Sequence, residues 1–325
     1  MTQVISQVVF KPNPGADMTK LMQLLAASAA IWRMHGADVF RVNIIYKILL
    51  ATSLCLSFFN HAQAQTAPST HAAIKGQFAN INGHKIYYER IGSGRPLVLL
   101  HGGINSIHSS FKNQIEYFAA HREVIGIEQV GHGHTPDTDA PYSYFQMAKD
   151  TADLLRSLNI SNADFMGWSD GGILALLIAR YNPDLVHRVV ASGANTRLVG
   201  MTPEEIKKIR DSSPEQLAAD FDKKYRDQYV AVSPDGEKHW PILAKKIWDL
   251  WLTPLILEDK DLALIQAPTL IINGDKDLIP VEHAVEIFKA LPKGQLYILP
   301  NTEHHTFELA APLMNPVMLN FFNSP

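Results

Sequence analysis

Cysteine is nearly absent from this chain: Cys55 is the single one among 325 residues. One thiol can close no intrachain disulfide and build no cysteine-based metal site, so neither organises the fold. An excess of one charge is also missing. The 29 Lys and Arg stand against 32 Asp and Glu, a formal net charge of −3, which leaves no electrostatic footprint for nucleic acid or for an anionic membrane surface. The expected partner is a small molecule. Nor does the apolar run at residues 48–59 reach the about 20 residues that span a bilayer, so no stable membrane span is expected. What the chain has is bulk. With 46% hydrophobic and 19% charged residues, it can bury one large α/β core and still carry additional segments. No pattern bears on oligomeric state.

The N-terminal region divides into three. Residues 1–41 read as a β-α-β-like leader too small to bury its own sheet face. Residues 42–64 follow the order of a signal peptide: basic flank, apolar stretch, then small residues Ala62 and Ala64 for cleavage after Ala64. A polar linker occupies 65–75. Because a signal peptide belongs at a chain start, a true translation start near Met34 or Val42 is expected, with a periplasmic or secreted mature protein.

Around residues 165–172 the chain reads Phe-Met-Gly-Trp-Ser-Asp-Gly-Gly, with an apolar strand-like segment before it and the helix-length run 173–181 after it. Strand, tight turn and helix place Ser169 at the turn. Glycines at 167 and 171 let strand and helix approach, leaving the hydroxyl exposed as a candidate nucleophile.

The preceding chain supplies the first half of a sheet. Segments 77–82 and 84–90 flank Asn82-Gly83, a type I′ hairpin signal. The apolar runs 96–100 and 123–127 read as strands buried on both faces, and an amphipathic helix is expected at 142–158, with Phe145, Ala148, Ala152, Leu155 and Leu158 on its apolar face. After the first run come His101-Gly102-Gly103; the Gly103 and Asp170 N–H groups are candidates for an oxyanion hole. His101 reads as a structural histidine. His132 and His134 have a spacing that invites a metal, but no further ligand follows in the pattern, and no metal or other cofactor is expected.

The order of strand, His-Gly-Gly, strand, Gly-His-Gly-His-Thr, helix, strand and Gly-Trp-Ser-Asp-Gly-Gly resembles the α/β-hydrolase fold family over residues 76–323. It is most similar to the branch of valacyclovir hydrolase (biphenyl hydrolase-like) and the haloperoxidase-type serine esterases. The resemblance implies an α/β fold with a mostly parallel eight-stranded sheet flanked by helices. It also implies a helical cap at about 200–265, where segments 204–210, 218–226 and 239–252 carry Trp240, Trp248, Trp251 and Leu252. With Trp168, the tryptophans at 248 and 251 are candidate substrate-binding residues, or else they hold the cap's own core. By the same resemblance the acid is Asp277, with Asp275 as the other candidate, and the imidazole is His304 rather than His305. Where the family commonly has Asp and Arg, this chain has Glu128 and Val130, which puts a loop salt bridge there in doubt. Asp170 is either a receptor for a substrate ammonium, as the branch implies, or a charge suited to a helix N-terminus.

The function these residues imply is hydrolysis of small carboxylic esters, aminoacyl esters among them, or of lactones. Carbon–carbon bond hydrolysis of ring-cleavage products and cofactor-free perhydrolysis would use the same three residues. A ligand-binding module with a vestigial site is the non-enzyme alternative.

Overall fold

The computed structural model describes residues 76–221 and 223–325. The stretches expected to be a leader (1–41), a signal peptide with Cys55 (42–64) and a linker (65–75) lie outside the described residues.

Eight strands form one sheet: β1 (Gln77–Ile81), β2 (His84–Gly92), β3 (Pro96–Leu100), β4 (Glu123–Ile127), β5 (Ala163–Trp168), β6 (Val186–Ser192), β7 (Thr269–Gly274) and β8 (Gly294–Leu299). Their spatial order is β1-β2-β4-β3-β5-β6-β7-β8. Strand β2 runs antiparallel to both β1 and β4, and the remaining pairs are parallel. The first hairpin turns through Asn82 at φ 51° and Gly83 at φ 86°, the pair of positive φ values that a type I′ turn requires.

Alternation along the central strands divides the core between the two faces. On β3, Val98 and Leu100 join one buried cluster while Leu97 and Leu99 join the other, as the two-residue period of a strand dictates. Each such side chain contributes about 1.5–3 kcal/mol when fully buried. The helix Asp170–Tyr181 is buried from Asp170 through Ala179, because it lies between the sheet and the helices Tyr144–Ser157 and Asp259–Leu262. That position requires the all-round apolar sequence 173–179. The helix expected at 142–158 presents Met147, Ala148, Thr151, Ala152 and Leu155 to the core. Phe145 departs from the expectation: it is half exposed and packs against Tyr181 at the rim.

The sheet order also locates the site. Chain order reverses about β3, since β4 lies to one side of it and β5 to the other. Loops leaving the carboxyl ends of β3 and β5 therefore diverge, and a crevice opens between them. Gly103 and Ser169 are on those two loops.

Between β6 and β7 the chain leaves the sheet. Helices Pro203–Asp211, Pro214–Asp220, Lys223–Val232 and Trp240–Trp251 pack around two small apolar clusters, which also take in Ile279 and Ile104 from the loops after β7 and β3. The single helix expected at 218–226 is thus two. The cap expected at about 200–265 is narrower, because Ile256, Leu257, Leu262 and Ile265 return to the main core. An antiparallel bridge from Arg197 to Leu255 ties the neck where the chain leaves and returns. No helix among the described residues is long and apolar enough to cross a membrane.

Candidate active site

Ser169 holds φ 54° and ψ −122°, a conformation that a side chain-bearing residue keeps at a cost of about 1–3 kcal/mol. Its surroundings enforce it. The Ser169 N–H donates to the Ser192 carbonyl at 2.8 Å, and its own carbonyl accepts from Gly172 and Ile173. A Cβ on Gly167 would stand 2.1 Å from the Gly171 carbonyl oxygen, and one on Gly171 would stand 1.8 Å from that of Leu100. Both glycines are therefore required by close backbone approach, as the sequence reading expected.

Three distant loops meet at this turn. Asp277 follows β7, and its Oδ1 accepts the Ile279 N–H at 2.9 Å. The same oxygen lies 2.7 Å from His304 Nδ1, and His304 Nε2 lies 2.9 Å from Ser169 Oγ. This geometry assigns the Nδ1–H to the carboxylate and leaves the Nε2 lone pair facing the hydroxyl. Burial alone would lower the His304 pKa, but the Asp277 charge and hydrogen bond, with help from Asp170, raise it above the ordinary value. Asp275 is placed elsewhere. It is exposed, accepts the Thr302 N–H at 3.0 Å, and the Asn301 and Thr302 backbone N–H groups hold its carboxyl below the usual range.

Opposite the serine, the loop after β3 is held by short local bonds. Asn105 donates through its side chain to the Gly103 carbonyl at 2.8 Å and through its N–H to the Gly102 carbonyl at 3.2 Å. The N–H groups of Gly103 and Asp170 have no acceptor among the described residues; that of Asp170 begins a helix, where no intrahelical partner exists. His101 is structural, as expected. It is buried, accepts the Gln129 N–H on Nε2 at 3.0 Å and faces the Gly102 carbonyl with Nδ1 at 2.8 Å; burial pushes its pKa down to about 3.

The Asp170 carboxylate is buried and accepts only from neutral donors: the Tyr144 hydroxyl at 2.9 Å and the Trp251 indole N–H at 3.0–3.1 Å. Burial, opposed by these two hydrogen bonds, raises its pKa. It lies beside the candidate oxyanion loop, with Oδ2 2.6 Å from where a Cβ of Gly103 would be.

The tryptophans separate into different places. Trp251 reaches the site, its indole contacting Gly103 as well as Asp170. Trp168 is buried, donates to the His304 carbonyl at 2.8 Å, and borders a narrow pocket with His305, Tyr225, Asn105 and Phe307. Trp248 is buried in the cluster with Leu198, Met201 and Ile209, and its indole N–H has no partner among the described residues. Leu252 lies against that same cluster, and Trp240 belongs to the second cap cluster, donating to the Ala218 carbonyl at 3.1 Å.

His132 and His134 do not converge on a common point. His132 Nδ1 faces the Val130 carbonyl at 2.9 Å, whereas His134 Nδ1 lies 3.0 Å from Glu128. Among the described residues no cluster of three or more His, Cys, Asp and Glu could hold a metal ion. The Glu128 hydrogen bond raises the His134 pKa, so His134 stands as the partner of this buried carboxylate where Val130 cannot.

Comparison with known proteins follows the same outline. Residues 95–232 match the family model described as alpha/beta hydrolase fold. Human serine hydrolase BPHL is 30% identical over 237 residues, covering 69% of this chain and 78% of the human protein. The chain belongs to the α/β-hydrolase family. Within it, similarity extends to the 2-hydroxy-6-oxo-6-(2′-aminophenyl)hexa-2,4-dienoic acid hydrolase of Metapseudomonas resinovorans, 23% identical over 74% of this chain and 88% of that enzyme. The crystal structure of a serine hydrolase involved in carbazole degradation, CarC, superposes with a TM-score of 0.64 at 21% identity, covering 77% of this chain and 99% of CarC. Hydrolase chemistry is common to these relatives.

Sequence reasoning missed Tyr144 and Asn105, which hold Asp170 and Gly103. It also missed Gly193, where a Cβ would come within 2.9 Å of the His304 ring. A glycine ending strand β6 was visible; its approach to His304 was not, because 110 positions separate the two in sequence and only folding joins them.

Proposed function

We propose that this chain is a serine hydrolase of small carboxylic esters or lactones that works through an acyl-enzyme. The unbroken line from Asp277 through His304 to Ser169 supports this reading. Ser169 Oγ attacks the substrate carbonyl carbon while His304 Nε2 takes the hydroxyl proton. Asp277 stabilises the imidazolium, and the oxyanion faces the Gly103 and Asp170 N–H groups. Collapse expels the alcohol, which receives the proton from His304. Water then attacks the acyl-enzyme by the same route and releases the acid. Labelling with a fluorophosphonate probe tests the assignment: wild type should be labelled and Ser169→Ala should not. A folded wild type that takes no label would favour the ligand-binding module.

Similarity to the Metapseudomonas resinovorans enzyme favours carbon–carbon bond hydrolysis as a second reading with the same three residues. Turnover of a 2-hydroxy-6-oxodienoate exceeding that of every simple ester assayed would decide for it.

Asp170 narrows the substrate class. A buried carboxylate whose partners are a phenol and an indole N–H has no cation bonded to it among the described residues, and an α-ammonium on the acyl group would supply one. A hydrogen bond to a charged group contributes about 1.5–3 kcal/mol. Asp170→Asn should therefore lower kcat/KM for an α-amino ester about 10- to 150-fold and change that for the matching plain ester less than threefold. Equal losses on both would reduce Asp170 to a helix N-terminal charge.

The export signal at 42–64 belongs to the same proposal. N-terminal sequencing of the mature protein should begin at Gln65; a protein beginning at Thr2 would sink it.

A further inference from the structure

The cap helix Trp240–Trp251 is anchored at a place that the site residues do not explain. Asp137 lies in the loop following β4, and its buried carboxylate faces the cap. Oδ2 accepts from Lys246 Nζ at 2.8 Å, and His239 Nε2 stands 3.0 Å from the same oxygen. The Tyr229 hydroxyl stands 2.9 Å from His239 Nδ1. The Asp137 N–H donates to Asp235 Oδ2 at 2.8 Å. Lys246 in turn donates to the Thr138 carbonyl and lies 5.0 Å from the centre of the Tyr142 ring. One loop residue thereby joins three cap segments: the turn at Asp235, the 3₁₀ turn Glu237–His239 and the middle of the helix.

This contact differs in kind from the ion pairs on the outer face of the same helix. The side chains of Asp137 and Lys246 are 4% and 14% exposed, whereas those of Lys245 and Asp249 are 55% and 57% exposed. An exposed pair contributes little; removing one partner of a buried pair leaves a charge without compensation. Five residues beyond Lys246, about 7.5 Å along the axis, the last turn of the helix carries Trp251, whose indole touches Gly103 and donates to Asp170.

We propose that Asp137 is a positioning residue: by holding Lys246 and His239 it fixes the cap helix so that Trp251 sits over Gly103 and Asp170. The proposal rests on the serine hydrolase reading and assigns Asp137 no contact with substrate. Asp137→Asn and Lys246→Met should each raise KM for an ester substrate about tenfold while kcat stays within threefold of wild type. The fluorophosphonate labelling rate of Ser169 should also stay within threefold, since the serine, histidine and acid are untouched. Trp251→Phe should raise KM by a similar factor, and adding it to Lys246→Met should cost less than a further twofold, because the anchor and the indole act in series. Additive losses, an unchanged KM, or a fall in kcat with labelling rate would each overturn the proposal. If Asp137→Asn does not fold, as judged by its circular-dichroism melting transition, Lys246→Met carries the same test. Loss of folding in both would also overturn it, since the contact would then hold the fold and not the indole. Failure of the underlying reading looks different: wild type itself would take no label.

Discussion

Ser169→Ala is expected to lower kcat for an ester substrate on the order of 10⁶-fold, the scale seen when a hydrolase loses its nucleophile. The size of the loss follows from the geometry. Ser169 Oγ is the atom placed 2.9 Å from His304 Nε2 at the end of the line from Asp277, and no neighbouring group can replace it: Asp170 beside it is tied to Tyr144 and Trp251. Residual turnover of about 10³ over water should persist, because the Gly103 and Asp170 N–H groups survive the substitution. Folding should be little affected. The loss is one hydrogen bond of about 1 kcal/mol, and the backbone strain at φ 54° is common to serine and alanine. Initial rates on a chromogenic ester, with circular dichroism as the folding control, provide the measurement. A kcat reduced less than tenfold would remove Ser169 from the mechanism.

Asp277→Asn is expected to reduce kcat about 10⁴-fold, while Asp275→Asn leaves it within threefold. Asparagine can present its amide N–H to His304 Nδ1 and so favour the tautomer with the hydrogen on Nε2, which cannot take the serine proton. Asp275 meets only backbone N–H groups at the surface. The pH profile supplies a second readout. His304 acts as the neutral imidazole, so the wild-type rate falls as pH drops through the His304 pKa, which lies above the ordinary histidine value. Removing the Asp277 charge removes the main influence holding it there, and the acidic limb of the residual activity should move to lower pH. A limb that moves upward or stays in place, or an Asp275→Asn variant as impaired as Asp277→Asn, would contradict the assignment.

Much of this site was legible along the chain because its parts obey local rules. The Gly-Trp-Ser-Asp-Gly-Gly turn is a steric statement, since only glycine tolerates the 1.8 Å and 2.1 Å approaches found at 171 and 167. The Asn82-Gly83 hairpin and the buried runs that became β3 and β4 are equally local. Family resemblance separated Asp277 from Asp275, and it is Asp277 whose Oδ1 lies 2.7 Å from His304 Nδ1. The cap was less legible. Trp240, Trp248 and Trp251 share one helix with similar apolar surroundings, yet one fills a cluster with Ile104 and Tyr229, one packs beside Leu198 and Met201, and one bonds Asp170. Helical periodicity states which residues share a face; it does not state what that face meets.

The sequence by itself determined the strand–turn–helix at Ser169, because that follows from steric limits within a few residues, and its order of motifs carried the resemblance that implied the α/β architecture. The tertiary structure decided the rest. It brought His304 to within hydrogen-bond distance of a serine 135 positions away and of Asp277 on its other side, narrowed the cap to the chain beyond the Arg197–Leu255 bridge, and set Trp251 and Tyr144 on Asp170. Those contacts depend on strand order, on where β4 crosses back past β3, and on how the cap helix is anchored to Asp137. None of these is a property of neighbouring residues, so none can be read from spacing.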